Sequence, residues 1–255
     1  MVWIEDLPGG KKLALSGKID RIDTCAGEGT ETIYVKIVDY KSSSREIDLE
    51  SLIEGEQLQL IVYMDAAAKL SRRKDPDREV VCAGAFYFSF LDPVVGITPQ
   101  MTEDQIQDAI DASMRVKGLV NSRKDVIERL DAQPWAPGAS KVIPVTKNKA
   151  QGEVRAAGHI ISDRQFSLLR DYAAHRMREI ASDILSGQTA PNPSRKDSNT
   201  TACTWCPYRD VCGFDPRSRG MAYREKAGRS PEKIWEVIEE GALMPEQKDK
   251  GHPGG

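Results

Sequence analysis

Residues 32 to 41 read TIYVKIVDYK, a mostly apolar run that ends in Asp-Tyr-Lys. Apolar side chains occupy nearly every position before the closing Asp-Tyr-Lys, so a strand formed here would be buried on both faces. Residues 13 to 24, LALSGKIDRIDT, predict a second strand, and Gly27 and Gly29 lie between the two. We therefore predict an antiparallel hairpin whose second strand lies in the interior of a sheet.

The rest of the chain predicts helices and strands in mixed order. Helices are predicted at 49–70 with Asp48 as the N-cap, after Thr102, at 122–131, at 162–186 and at 231–240. Strands are predicted at 79–91 and at 141–146.

The composition is that of an ordinary globular protein, with 255 residues, 40% of them hydrophobic and 29% charged. No apolar run approaches the ~20 residues that span a bilayer, and no secretion signal begins the chain. We therefore predict a cytoplasmic protein with no membrane partner. The net charge of -3 neither indicates nor excludes nucleic acid. The sequence lacks a GxxxxGK[ST] loop, which excludes an ATP-driven motor within this chain.

Asp39 and Lys41 are two residues apart at the end of the first stretch, so their side chains share one face of the strand. Asp20 lies on the predicted partner strand. Two carboxylates and a lysine at a sheet end can hold Mg²⁺ or Mn²⁺, activate a bound water and orient it. A surface ion pair is the simpler alternative. Burial of the strand favours the metal site, because an unpaired buried charge costs several kcal/mol.

Gln59 and Tyr63 follow on the predicted helix, where their i, i+4 spacing places them on one face. An amide and a phenol suit contacts to a phosphate or to the lysine. The alternative is a pair of polar side chains at the rim of the core.

Three motifs in this order and spacing resemble the PD-(D/E)xK nuclease domains of the RecB family. They are GKIDRID at 17–23, DYKSS at 39–43, and the glutamine and tyrosine of 59–63. The resemblance implies an α/β fold with a restriction-endonuclease-like core, in which helices flank a mixed central sheet.

The same resemblance implies roles for the site residues. Asp20 and Asp39 would bind Mg²⁺ or Mn²⁺ with help from the carbonyl of Tyr40, and Lys41 would be the catalytic lysine. The family's glutamine–tyrosine motif is matched by Gln59 and Tyr63.

Three of the five cysteines lie within ten residues, as Cys203-x2-Cys206-x5-Cys212. An odd number of cysteines without a secretion signal argues against a disulfide framework. Three thiolates this close are typical of a metal site, and their softness indicates zinc or an iron–sulfur cluster. For a fourth ligand the chain offers two candidates, but we expect Cys82 to be a small buried residue and Cys25 a free thiol in a turn.

The cysteine segment and the C-terminal residues 223–238 resemble the AddB family, the B subunits of bacterial helicase–exonucleases. In that family three C-terminal cysteines and one upstream of the nuclease motifs hold a [4Fe–4S] cluster. The upstream cysteine has no counterpart here. We therefore expect the chain to be a fragment or excised domain, with the fourth ligand upstream of it.

These patterns divide the chain into three predicted regions: a nuclease domain at 1–188, an iron–sulfur segment with a C-terminal helix at 189–240, and a disordered tail at 241–255. The resemblance implies a Mg²⁺-dependent DNA exonuclease within a helicase–nuclease that processes double-strand breaks for recombinational repair. Its partners would be DNA and the helicase–nuclease A subunit of a heterodimer. Two alternatives stay open: a stand-alone iron–sulfur nuclease of the CRISPR-adaptation type, and a non-catalytic DNA-binding or scaffold module with a structural metal clip.

Overall fold

Strands and helices are interspersed along the chain in the computed structural model, which describes residues 2–7, 10–27, 31–131, 138–147, 154–156, 159–197 and 199–244. The strands are β1 (Val2–Leu7), β2 (Lys11–Ser16), β3 (Arg21–Ala26), β4 (Thr32–Lys41), β5 (Glu79–Ser89), β6 (Lys117–Asn121), β7 (Gly138–Ala139), β8 (Val145–Lys147), β9 (Val154–Ala156), β10 (His159–Ile161), β11 (Ser194–Arg195) and β12 (Arg224–Glu225). The helices are α1 (Leu49–Ile53), α2 (Gln59–Lys74), α3 (Glu103–Ser113), α4 (Lys124–Leu130), α5 (Asp163–Leu185), α6 (Arg209–Cys212) and α7 (Pro231–Ala242).

Strand β4 lies inside a five-stranded sheet of order β10-β6-β5-β4-β3, which confirms its predicted central position. It pairs antiparallel with β3, as the predicted hairpin requires, and parallel with β5. Strands β5 and β6 are antiparallel, and β6 and β10 are parallel. The sheet is therefore mixed, as the sequence resemblance implied.

The two faces of β4 pack against different parts of the core. Ile33, Val35 and Ile37 join a large apolar cluster with residues of α1, α2, α5 and α7. On the other face Val38 packs with Phe86 and with buried residues of α4 and β8. Alternate side chains of one strand thus fill both layers, which explains why the sequence of β4 is apolar at nearly every position.

Two predicted elements are each divided in the structure. The predicted strand at 13–24 is interrupted at 17–20, so that β2 pairs with β1 while β3 pairs with β4. The predicted helix at 49–70 is interrupted between α1 and α2, where Gly55 adopts a φ of 85°. A left-handed residue ends a right-handed helix, and glycine reaches this conformation without steric cost. The N-cap prediction is confirmed, because the Asp48 side chain accepts from the backbone N–H of Glu50.

The other helices begin and end close to their predicted bounds. Capping boxes at Thr102 and Ser162 start α3 and α5, and Ser230 caps α7. Strands β6 and β10 were missing from the prediction, although β6 is interior in the sheet. The predicted strand at 141–146 is replaced by the short strands β7 and β8. The tail predicted at 241–255 begins too early, because α7 continues to Ala242. From residue 245 onward the tail lies outside the described residues.

A buried ion pair joins the two long helices. Arg170 of α5 donates from Nε and Nη2 to Oδ1 of Asp65 in α2, at 2.9 and 2.7 Å, and each side chain is only 10% exposed. Although burial opposes ionisation, Lys69 and Arg170 together lower the pKa of Asp65 below its usual value. Within the described residues, no helix is long and apolar enough to cross a membrane.

Gly118 allows β6 to approach β5, and its substitution tests the packing of the sheet. It has a φ of 151°, and a Cβ added there would lie 2.1 Å from the carbonyl oxygen of Ala85. We expect Gly118→Ala to lower the free energy of unfolding by about 3 kcal/mol, the upper end of what overpacking costs. Urea unfolding measures the change.

The matched control is Gly96→Ala, because no described atom lies within 4 Å of a Cβ added there. We expect Gly96→Ala to change the free energy of unfolding by less than about 0.5 kcal/mol. Equal stability of the two variants would contradict the close approach of β6 to β5.

Candidate active site

Asp39 is a buried carboxylate near the end of the central strand. The residue is 4% exposed, and its Oδ2 accepts no hydrogen bond from any described group. The nearest compensation is Nζ of Lys41, at 2.5 Å from this oxygen. Both residues lie on β4 two positions apart, so they share a face as the sequence predicted. The charge at the strand end is therefore paired but is short of hydrogen-bond donors.

Helix α2 supplies the next two members of the site. Nζ of Lys41 donates to Oε1 of Gln59 at 3.2 Å, and Nε2 of Gln59 lies 3.1 Å from the hydroxyl of Tyr63. The interruption of the predicted helix makes Gln59 the first residue of α2. A chain of polar contacts therefore runs from Asp39 through Lys41 and Gln59 to Tyr63.

Asp20 reaches the same strand end from the other side. It lies directly before β3, where its Oδ2 accepts the backbone N–H of Tyr40 at 2.9 Å. This hydrogen bond holds the Asp20 carboxylate beside the backbone of Tyr40, between Asp39 and Lys41. The structure thus brings together all six residues that the sequence assigned to this site, namely Asp20, Asp39, Tyr40, Lys41, Gln59 and Tyr63.

Gly17 is a member of the site that sequence reasoning did not single out as one. A Cβ added there would lie 3.1 Å from the hydroxyl oxygen of Tyr63 and 3.3 Å from its Cε1. The break between β2 and β3 therefore packs against the end of the polar chain. Gly17 is the first residue of the GKIDRID motif, and this position could have indicated that it belongs to the site.

Tyr87 on β5 is a second residue of the site that was not predicted from the sequence. It pairs with Asp39 across the sheet, and Nζ of Lys41 lies 5.6 Å from the centre of its ring. Burial, and to a lesser degree the charge of Asp39, raise the pKa of the Tyr87 phenol, while Arg45 acts in the opposite direction. The buried aromatic ring forms one wall beside the carboxylate.

Comparison with known proteins identifies a family that covers most of the chain. Residues 1–213 match the family model described as the PD-(D/E)XK nuclease superfamily. The chain belongs to this superfamily.

Curated relatives extend the similarity toward the C-terminus, and each is named as the B subunit of an ATP-dependent helicase/deoxyribonuclease. The relative from Lachnoclostridium phytofermentans is 36% identical over 233 residues, which cover 89% of this chain and 20% of the relative. The relative from Clostridium kluyveri is 33% identical over 238 residues, with 92% and 20% covered. That from Caldanaerobacter subterraneus subsp. tengcongensis is 33% identical over 234 residues, with 92% and 19% covered. The chain spans about a fifth of the length of these relatives.

The superfamily match ends just past the cysteine segment. Cys203 and Cys206 are half-buried and Cys212 is exposed. Within the described residues no group of three or more His, Cys, Asp or Glu side chains is close enough together to hold a metal. The three thiols have the donor chemistry of a cluster site, but their arrangement here does not gather them around one point.

The environments of the two remaining cysteines agree in part with the prediction. Cys82 is buried, and burial raises the pKa of its thiol, which agrees with the prediction of a small core residue. Cys25 is exposed as a free thiol, but it lies in β3 rather than in the turn.

Removal of the Lys41 charge tests how the buried carboxylate of Asp39 is compensated. We expect Lys41→Met to lower the free energy of unfolding by about 2 kcal/mol. This is less than the roughly 3–5 kcal/mol for a fully buried pair, because one end of the pair is open to water. The double variant Asp39→Asn/Lys41→Met should recover most of the loss, since it removes both charges. Urea unfolding without added metal measures all three proteins.

Lys36→Met is the matched control on the same strand. Lys36 pairs with Asp23 at 3.2 Å, and both side chains are about one third exposed. We expect a change below about 0.5 kcal/mol. If Lys41→Met changed the free energy of unfolding as little as Lys36→Met, the Asp39–Lys41 ion pair would not stabilise the fold as expected.

Proposed function

We propose that the chain is a metal-dependent deoxyribonuclease domain that hydrolyses phosphodiester bonds at the end of β4. One observation carries the proposal: the buried Asp39 is joined through Lys41 and Gln59 to Tyr63, with Asp20 held against the same strand end. A surface ion pair has no need of a buried carboxylate or of a contact to a second element. Membership in a nuclease superfamily supports the same reading.

The carboxylates suit Mg²⁺ or Mn²⁺, which take oxygen ligands. Asp39 Oδ2 is buried and makes no hydrogen bond among the described residues, although Nζ of Lys41 lies close to it. A bound cation would satisfy this oxygen. Asp20 and the carbonyl of Tyr40 would be the other protein ligands. When bound, the metal would polarise the phosphodiester and lower the pKa of a water molecule.

The side chains of the protein would orient one another and stabilise the charge that develops during hydrolysis. Lys41 would place a positive charge where charge develops on phosphorus. Gln59 holds Nζ of Lys41 in position, and Tyr63 orients the amide of Gln59 in turn. Gly17 leaves the space that the Tyr63 ring occupies. The lysine is thereby fixed before substrate arrives, which reduces the reorganisation that catalysis requires.

Within the cell we propose that the domain is an exonuclease of a cytoplasmic helicase–nuclease that processes double-strand breaks for recombinational repair. Its partner would be the A subunit of that heterodimer. The support is the name shared by the relatives, each the B subunit of a helicase/deoxyribonuclease. That name does not favour a stand-alone CRISPR-adaptation nuclease. The presence of both carboxylates and the lysine does not favour a non-catalytic scaffold.

We further propose that Cys203, Cys206 and Cys212 hold a [4Fe–4S] cluster with a fourth cysteine from outside this chain. The support is the spacing of three soft ligands in one short segment. The proposed regions are 1–188, 189–240 and 241–255, and the second packs into the nuclease core through Ile238 of α7. No step of the hydrolysis depends on the cluster.

Cleavage of end-labelled linear DNA with Mg²⁺ or Mn²⁺ tests the nuclease proposal. We expect metal-dependent degradation by the wild-type chain, and a loss of about 100-fold or more in Lys41→Ala, because removal of one electrostatic group commonly costs this much. A covalently closed circle of the same sequence should resist an exonuclease.

Lys124→Ala is the matched control, since Lys124 is 90% exposed and pairs with Glu128 on the surface of α4. It should cleave like the wild type. Equal cleavage by the Lys41→Ala variant would reject the assigned site, and cleavage that resists chelation would reject the metal role. Binding of DNA without cleavage would favour the scaffold.

Metal analysis of anaerobically purified protein tests the cysteine proposal. We expect iron and sulfide with an absorbance band typical of a cluster when an upstream cysteine is supplied in a longer chain, and their loss when Cys203, Cys206 and Cys212 are all changed to serine. Zinc at one equivalent, lost in the same variant, would replace the cluster by a structural zinc site. Metal content unchanged by the substitutions would reject both.

A further inference from the structure

We propose that Lys117, together with Ser44 and Arg45, binds a second backbone phosphate of the DNA strand whose scissile phosphate lies at Asp39 and Lys41. The proposal rests on the proposed nuclease function. It adds a positioning site on a strand, β6, that none of the motifs covers.

The register of the sheet places Lys117 on the catalytic face. Asp39 of β4 pairs with Tyr87 of β5, and Tyr87 pairs with Lys117 of β6. Residues paired across neighbouring strands project to the same face. These three residues, the cross-strand row, therefore extend from the buried carboxylate in one direction across the sheet.

The length of the cross-strand row suits an extended nucleic acid strand. Neighbouring strands lie about 4.8 Å apart, so the row spans about 10 Å from β4 to β6. One DNA strand carries a charge about every 3.4 Å along the helix axis. The row is thus too long for a single phosphate. Lys41, which pairs with Asp39 at one end of the row, and Lys117 at the other end would meet different phosphates.

The segment that follows β4 brings further donors to the far end of the row. Nζ of Lys117 lies 3.1 Å from Oγ of Ser44 and 2.9 Å from Oε1 of Glu46. Arg45, between them in sequence, interacts with the Tyr87 phenol in the middle of the row. The Ser44 hydroxyl and the Lys117 ammonium group lie beside each other, and the Arg45 guanidinium acts on the neighbouring Tyr87. Such donors suit phosphate oxygens.

Glu46 occupies the position that the phosphate would take. The Lys117–Glu46 pair is solvated, with the Lys117 side chain 39% exposed and that of Glu46 72% exposed. Such pairs contribute about 0–1 kcal/mol to stability, so replacing the carboxylate by a phosphate costs little free energy. Glu46 is therefore a competitor of the DNA backbone in the unbound protein.

If the Lys117–Glu46 pair had only a structural role, the expected effect of substituting Glu46 would be the opposite. If Lys117 and Glu46 only fasten the segment 42–48 to the sheet, loss of either partner loosens the same segment, and both substitutions weaken DNA binding. If Lys117 binds phosphate, loss of Glu46 releases the lysine and strengthens binding. The two roles therefore differ in the sign of one measured change.

The experiment is fluorescence anisotropy of a labelled single-stranded oligonucleotide without a divalent metal, over a series of salt concentrations. We expect Lys117→Ala to weaken binding and to reduce the slope of log K against log salt by about 0.7, the value for one phosphate contact to a single strand. Lys117→Arg should retain the slope. Glu46→Gln should bind more tightly than the wild type, by about twofold to fivefold, as removal of a weak solvated competitor implies.

Lys124→Ala is again the control and should leave the slope unchanged. The proposal is overturned if Lys117→Ala matches this control, if Glu46→Gln weakens binding, or if the chain does not bind DNA. Cleavage gives a second readout, in which Lys117→Ala raises KM with little change in kcat, whereas Lys41→Ala lowers kcat. Failure of the nuclease proposal would appear as full cleavage by Lys41→Ala, independently of the salt slopes.

Discussion

The buried carboxylate of Asp39 is the constraint on which the rest of the site depends. A strand that is apolar on both faces leaves no water at its interior, so a charge near its end requires a nearby opposite charge. Lys41 meets this need from the same strand, and its position is set by Gln59 of α2. Gly55 ends the preceding helical segment, and helix α2 then begins at Gln59. The geometry of the site is thus a consequence of where one helix starts.

The C-terminal part of the chain is fastened to the helix that precedes this start. Arg229 contacts Glu50 of α1 and the C-cap residue Glu54, and Lys226 contacts the N-cap residue Asp48. The Glu50 and Glu54 side chains are only about one seventh exposed, so these pairs are screened less than ordinary surface pairs. Helix α7 completes the contact: its fully buried Ile238 joins the same core cluster as α1 and α2. The segment that follows the cysteines therefore packs against α1, the helix that precedes α2 with its site residues Gln59 and Tyr63.

Sequence alone predicted the parts of the fold whose signals are local. The apolar run of β4 and the capping boxes at Thr102 and Ser162 each depend on residues close together in the chain. The motif residues were found by their spacing, and the structure brings them together. Strand β6 was missed because KGLVN is short and contains a glycine, and its place in the sheet comes from a close approach at Gly118 to a strand some thirty residues earlier. Contacts of that kind leave no local pattern.

The acidic net charge and the proposed DNA contacts are compatible because they act over different distances. At physiological ionic strength the Debye length is about 8 Å, so exposed charges farther away than this are largely screened from a bound phosphate. The groups that matter are those along the cross-strand row and at its two ends, where Lys41, Arg45 and Lys117 are concentrated. The carboxylates in that region include Asp20 and Asp39, whose charges the proposed metal would offset, and Glu46, which a phosphate would displace. A chain with a net charge of -3 can therefore present a locally basic track for one DNA strand.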